Sequence, residues 1–278
     1  MGEYGFLTLQ QLIAVLEYKQ GSRIYVHVTM KALVDAGDVL SCGGRGTSLP
    51  LIYTLSGRGR RYVFQQGKER AKRFRLAETR TKAGNGYFLR HTLAVNDVLI
   101  AARLLSRSVP AIELIRVYHE RDLRRKIAVA LCGAGGKTRQ IFLEPDASLD
   151  VRIRKDETVW RDFFFVEVYR HHPMEHRFKR KIAGYVAYAD SEQHQGLFET
   201  HALTIALLCE TPALLRLLKG WTEQVLTRLG KQDEGERFFF TTVDPAITNP
   251  EELFLSPVWE QAFGTTKTPL IVLAQETT

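Results

Sequence analysis

Cysteine is scarce in this chain of 278 residues. Cys42, Cys132 and Cys209 stand far apart, and without a CxxC pair neither a disulfide framework nor a cysteine zinc site is expected. Long apolar runs are missing too. No stretch approaches the roughly 18 uninterrupted apolar residues of a membrane span, and Met1–Phe6 lacks the basic-then-apolar opening of a secretory signal. The expectation is a cytoplasmic protein with reduced thiols and no membrane partner. Internal repeats, low-complexity tracts and heptad runs are also absent, which argues against a solenoid or a coiled coil.

Charge is plentiful but unevenly placed. The chain carries 39 Lys+Arg against 31 Asp+Glu; residues 1 to 90 hold 15 of the cations against 6 carboxylates, and residues 91 to 278 hold 24 against 25. The whole basic excess therefore falls in the first third. A phosphate-binding surface needs such a surplus, because each neutralised phosphate releases condensed counterions. A solvated basic face gives the same count.

The periodicity of that first third is helical, then strand-like. Leu9, Leu12, Ile13 and Leu16 fall on one helical face, with Thr8 where an N-cap belongs. After Gly21-Ser22, Val26, Met30, Leu33 and Val34 form a second apolar stripe that ends at Gly37. The opposite face carries Arg23, His27, Lys31 and Asp35 every four residues, as a recognition helix would, although the β-branched run Ile24–Val28 also suits a strand. Val39-Leu40, a turn over Gly43–Ser48 that includes Arg45, and Leu51–Leu55 read as a β-hairpin with a basic tip, and Arg58, Arg60 and Arg61 follow. Two helices and then such a hairpin make a winged helix-turn-helix, whose second helix enters the major groove of double-stranded DNA. The helix that usually precedes the first one has no room in Met1–Phe6, so a later segment or a dimer partner must supply it. Residues 1–66 are thus expected as the DNA-binding domain, 67–86 as a basic helix and linker, and 87–278 as a second domain.

In that second domain a helix is expected over Phe88–Leu105, followed by strand-like segments at Ile112–Tyr118, Ile141–Asp146, Leu149–Ile153 and Phe163–Tyr169. A helix over His176–Tyr188, a strand over Leu203–Leu208, a helix over Pro212–Leu229 and a strand over Phe238–Val243 come next, and Leu270–Leu273 suggests an edge strand. Gly133–Thr138 imitates a phosphate loop, but Leu131 stands where the Walker pattern needs its first glycine and a strand follows, so a hairpin turn is expected. His172 and His176 are spaced as metal ligands could be, but Pro173 and the lack of an HExxH motif argue against zinc.

The order of helix, three strands, helix and strand, with Pro145-Asp146 and then Glu167 on the next strand, resembles the PD-(D/E)XK nuclease fold, an α/β fold with a central mixed sheet. More closely, the chain resembles the replication-relaxation family of plasmids and mobile elements, through His91–Asp97, Pro145–Ala147, Phe165–Arg170 and Lys181–Tyr185. The resemblance implies a role in plasmid or mobile-element replication control or transfer, and the charge and pattern of the first third add duplex DNA binding through Arg23, His27, Lys31, Arg45, Arg58, Arg60 and Arg61. The resemblance also implies a nuclease-like domain whose site positions are Asp146 and Glu167, with His91 near the helical contribution to that site. Tyr169 replaces the lysine of the E-x-K motif, and the expectation leans towards a non-catalytic domain that needs no cofactor. Lys181, one helix later, could stand in for that lysine; the chain would then be a deoxyribonuclease with Mg²⁺ on Asp146 and Glu167. Alternatively these carboxylates are structural and pair with Arg170 or Lys181, or the whole chain is a protein–protein adaptor. A homodimer suits a winged helix facing a two-fold operator.

Overall fold

The computed structural model describes residues 3–17, 20–44, 49–66, 86–132, 138–155 and 157–273. Two compact units divide the chain, Met1–Ile100 and Ala101–Thr278.

The first unit begins with a short strand that sequence periodicity did not reveal, β1 (Phe6–Thr8), followed by α1 (Leu9–Val15) and α2 (Arg23–Asp35). Thr8 caps α1 as expected: its Oγ1 accepts from the Gln11 amide at 3.2 Å, and the Gln11 side chain accepts from the Thr8 amide at 3.0 Å. In α2 the strand-like run Ile24–Val28 is helical, because Val26 and Met30, one turn apart, are both buried. Burial of that stripe outweighs the small β preference of Ile24 and Val28. The hairpin is β2 (Val39–Cys42) and β3 (Ile52–Leu55), antiparallel with Val39 opposite Leu55, and β1 adds to the other edge of β3 with Phe6 opposite Thr54. α3 (Gly57–Gln65) follows, capped by Ser56, whose Oγ accepts from the Gly59 amide and donates to the Gly37 carbonyl. Gly59 is required there, since a Cβ would stand 2.1 Å from the Asp38 carbonyl oxygen.

The helix packed on this small sheet comes from later in the chain. It is α4 (Gly86–Ser108), whose Leu89 and Leu93 join Phe6 and Ile52 in one buried cluster. Two buried amides fix it in place. Asn96 Nδ2 donates to the Phe6 carbonyl at 2.6 Å, and Gln11 Nε2 donates to the Leu93 carbonyl at 2.9 Å and to Asp97 Oδ1 at 2.7 Å. Of the segment 67–86, only Gly86 lies within the described residues.

The second unit is mixed α/β around a central seven-stranded mixed sheet. Its elements are β4 (Ile112–His119), α5 (Glu120–Leu123), β5 (Ile127–Cys132), β6 (Thr138–Leu143), β7 (Ala147–Lys155), β8 (Thr158–Tyr169), α6 (Glu175–Ala189), α7 (Gln193–Phe198) and β9 (Thr204–Cys209). They continue through α8 (Pro212–Leu229), β10 (Phe238–Thr241), α9 (Pro250–Leu255), β11 (Trp259–Gln261) and β12 (Lys267–Thr268). The sheet order is β12-β11-β10-β9-β8-β7-β4. β4, β7 and β8 pair antiparallel, while β9 lies parallel to both β8 and β10. β8 is apolar on both faces from Phe163 to Val166, as a strand in the middle of a covered sheet must be. The antiparallel pair β5–β6 stands apart from the sheet and lies on α6, where Ile127, Val129 and Leu143 share a buried cluster with Phe178, Ile182 and Tyr185.

One expected edge strand is corrected. Leu270 and Ile271 are buried but belong to no strand, and the edge is instead the two-residue β12 just before them. Apolar character there serves packing without a ladder. Among the described residues no helix is long and apolar enough to cross a membrane.

Candidate functional site

In the first unit α2 buries one side and presents the other to solvent. Arg23, His27, Lys31 and Asp35 are all exposed along the outer face, and Ile24, Tyr25 and Val28 beside them are 78%, 60% and 58% exposed. Among the described residues no ion pair or side-chain hydrogen bond engages Arg23, His27 or Lys31. The arginines of α3 differ. Arg58 is tied down, its Nε 2.9 Å from Asp38 and its Nη1 donating to the Ala36 carbonyl at 2.8 Å. Arg60 is buried and its Nε donates to the Ser56 carbonyl, whereas Arg61 is exposed. Arg45, expected at the hairpin tip, lies outside the described residues. His91 sits half-buried on α4 in this unit.

In the second unit Asp146 ends the connection from β6 into β7, and its Oδ2 accepts the Val168 amide of β8 at 2.8 Å. Glu167, on β8, is 2% exposed. Lys181 reaches it from α6, with Nζ 2.5 Å from Oε1 and 2.6 Å from Oε2, and also donates to the Glu144 carbonyl at 3.1 Å. One helical turn on, the buried Tyr185 hydroxyl donates to Glu167 Oε1. Arg170 pairs with Glu210 at 2.7 Å.

Burial dominates the electrostatics of this cluster. It lifts Glu167 to about 7, with Lys181 pulling down, Asp146 pushing up and the Lys181 and Tyr185 hydrogen bonds pulling down. Burial alone would lower Lys181, but the charges of Glu167 and Asp146 outweigh it and raise its pKa. Tyr169, at the position of the missing lysine, is held protonated by burial and by the same two carboxylates. Burial, the Glu167 charge and the hydrogen bond to it raise Tyr185 likewise.

The family model for replication-relaxation matches residues 1–200, a span that takes in α2, Asp146, Glu167 and Lys181. The chain belongs to the replication-relaxation family. Membership suggests a role in plasmid or mobile-element replication or transfer. No curated protein and no solved structure matches the chain.

In this replication-relaxation protein the carboxylates do not fit a divalent ion as they are arranged. Both oxygens of Glu167 are engaged by Lys181, one of them also by Tyr185, and Asp146 Oδ2 is engaged by a backbone amide. Among the described residues no group of three or more His, Cys, Asp or Glu side chains is placed to hold a metal ion. Two features of the second unit escaped sequence reasoning. Tyr185 entered only as the end of the Lys181–Tyr185 segment, with no role of its own, although its position four residues after Lys181 puts it on the same helical face. Asp150, 1% exposed on β7, forms a two-pronged pair with Arg161, at 2.7 and 2.6 Å, for which no motif gave a signal.

Proposed function

We propose that this protein binds duplex DNA in plasmid or mobile-element replication control or transfer, with a winged-helix first unit and a catalytically inactive second unit of the PD-(D/E)XK type. The observation that carries the reading is the outer face of α2, where Arg23, His27 and Lys31 stand exposed and unengaged while Val26 and Met30 anchor the helix from behind. Such a face supplies phosphate and base-edge contacts together. The order β1-α1-α2-β2-β3, with the first turns of α4 packed on the small sheet, supports a winged helix. In the second unit, the antiparallel run β4-β7-β8, then α6, then β9 parallel to β8, supports the nuclease-like assignment. The Lys181 and Tyr185 contacts on Glu167 favour a scaffold over a catalyst.

Affinity for a duplex, measured against salt, tests the reading. Replacing Lys31 with alanine should lower the slope of log affinity against log salt by about one, and an unchanged slope would remove α2 from the interface. The second reading is a metal-dependent endonuclease, in which Glu167 would have to give up its Lys181 and Tyr185 contacts; what supports it is that Asp146, Glu167 and Lys181 lie close enough for their charges to be felt. Duplex cleaved in Mg²⁺ by the wild type and left intact by Asp146→Ala would establish that reading and displace the inactive one.

A further inference from the structure

The second unit has almost no net charge, yet one groove on it is strongly basic. It has a volume of about 740 Å³, and Arg125, Arg139, Arg177, Arg180 and Lys181 line it against a single carboxylate, Glu144. Close packing of the β5–β6 ribbon on α6 creates it. Gly184 makes this approach possible, because a Cβ there would come within 2.8 Å of both Ile141 Cδ1 and Leu143 Cδ2. Arg139 shares a strand face with Ile141 and Leu143, and Arg177, Arg180 and Lys181 share a helix face with Gly184. The contact that seats the ribbon therefore brings the two sets of cations together.

These arginines are not spent on the fold. Arg125, Arg139, Arg177 and Arg180 are all exposed, and among the described residues no ion pair or side-chain hydrogen bond engages them. Their neighbour Lys179 is different, held by Glu175 at 2.5 Å and Gln224 at 2.6 Å. Glu144 lies 3.8 Å from Arg124. Four guanidinium groups collected with so little counter-charge repel one another, and an anion with several oxygen acceptors relieves that repulsion. Phosphodiesters fit best, since each guanidinium can fork onto two phosphate oxygens. Phe142, half exposed, also lines the groove, but one ring beside four guanidinium groups leaves charge as the dominant feature, which suits the phosphate backbone of a duplex.

We propose that this groove is a second DNA-binding surface, holding the backbone phosphates of a duplex alongside Lys181. The proposal rests on the DNA-binding reading above but is independent of α2. The full chain should be titrated with duplex DNA across a salt series as wild type and as Arg177→Ala/Arg180→Ala. The double variant should lower the slope of log affinity against log salt by about two. Arg177→Lys/Arg180→Lys should keep most of the slope, and Arg216→Ala/Arg228→Ala, the same loss of charge from exposed positions on α8, should leave it unchanged. A wild-type slope in Arg177→Ala/Arg180→Ala, or an equal drop in the α8 control, overturns the groove. If the groove variant keeps its slope while Lys31→Ala loses one unit, only the groove fails; the converse leaves the groove standing and removes α2. A wild type that binds no duplex at low salt overturns both.

Discussion

Replacing Lys181 with methionine is expected to cost about 3–5 kcal/mol of folding stability at pH 8 and much less at pH 5. Methionine keeps most of the side-chain volume, so the loss isolates the charge. Glu167 is 2% exposed, and among the described residues its oxygens would keep only Tyr185 as a side-chain partner. Even beside Lys181, Glu167 rises to about 7, chiefly through burial; without the lysine it rises further. A carboxyl whose folded pKa lies above its unfolded value contributes stability that is fully present below the unfolded pKa and is lost as pH rises through the folded one. In the wild type that window runs from the ordinary carboxyl value of 4.5 to about 7, and in the variant it extends to higher pH. The two proteins should therefore converge under acid and diverge above neutrality. Lys181, whose pKa is raised, supplies the opposing cation until pH climbs through its own folded value. Urea denaturation at unit steps from pH 5 to 8 reads this directly. A penalty that does not change with pH would mean that Glu167 is not the group left unpaired, and Lys181→Met/Glu167→Gln should recover most of the lost stability.

Elements with local punctuation were legible in the sequence. α8 runs from Pro212 to Leu229 as its pattern said, because Thr211 caps it, proline opens it and Gly230 ends it within a single stretch of chain. β8 was legible from its unbroken Phe163–Val166 run. Features that depend on distant partners were not. Gln11 and Asn96 look like ordinary polar residues until α4 returns to β1, 82 and 90 residues away in sequence. β1 itself has only three residues and no alternation long enough to detect. The β5–β6 pair was half missed, since Ala128 and Ala130 dilute the strand character of β5. Dividing the charge along the chain placed the basic excess in the first third and so concealed the groove of the second unit, where acids elsewhere in the same unit cancel the arginines that α6 and the ribbon bring together. Lys181 could be suspected from its distance along the chain, but its pairing with Glu167 followed only from the packing of α6 on β8.

The Asp150–Arg161 pair should give the second large effect, a loss of about 3 kcal/mol or somewhat more in Asp150→Ala. Asp150 is 1% exposed, and both its oxygens meet the guanidinium across the β7–β8 pairing. Removing the carboxylate leaves a partly desolvated cation. Arg161 keeps 28% exposure and a distant carboxylate, Glu199, at 4.0 Å, which places the cost at the low end of the range for a broken buried pair. The bridge from Arg154 to Glu113 is the internal comparison. With its partners 56% and 44% exposed, its loss should cost under about 1 kcal/mol, because solvent screens it and two long side chains must be ordered to form it. Equilibrium denaturation of Asp150→Ala, Arg161→Met and the double variant forms a cycle. The double variant should be more stable than Asp150→Ala, since it no longer leaves an unpaired cation, and its deficit measures what the pair adds over neutral packing. Single variants whose losses simply add would show that the two side chains act independently, and the short contacts between them would then not be what holds β7 to β8 at this point.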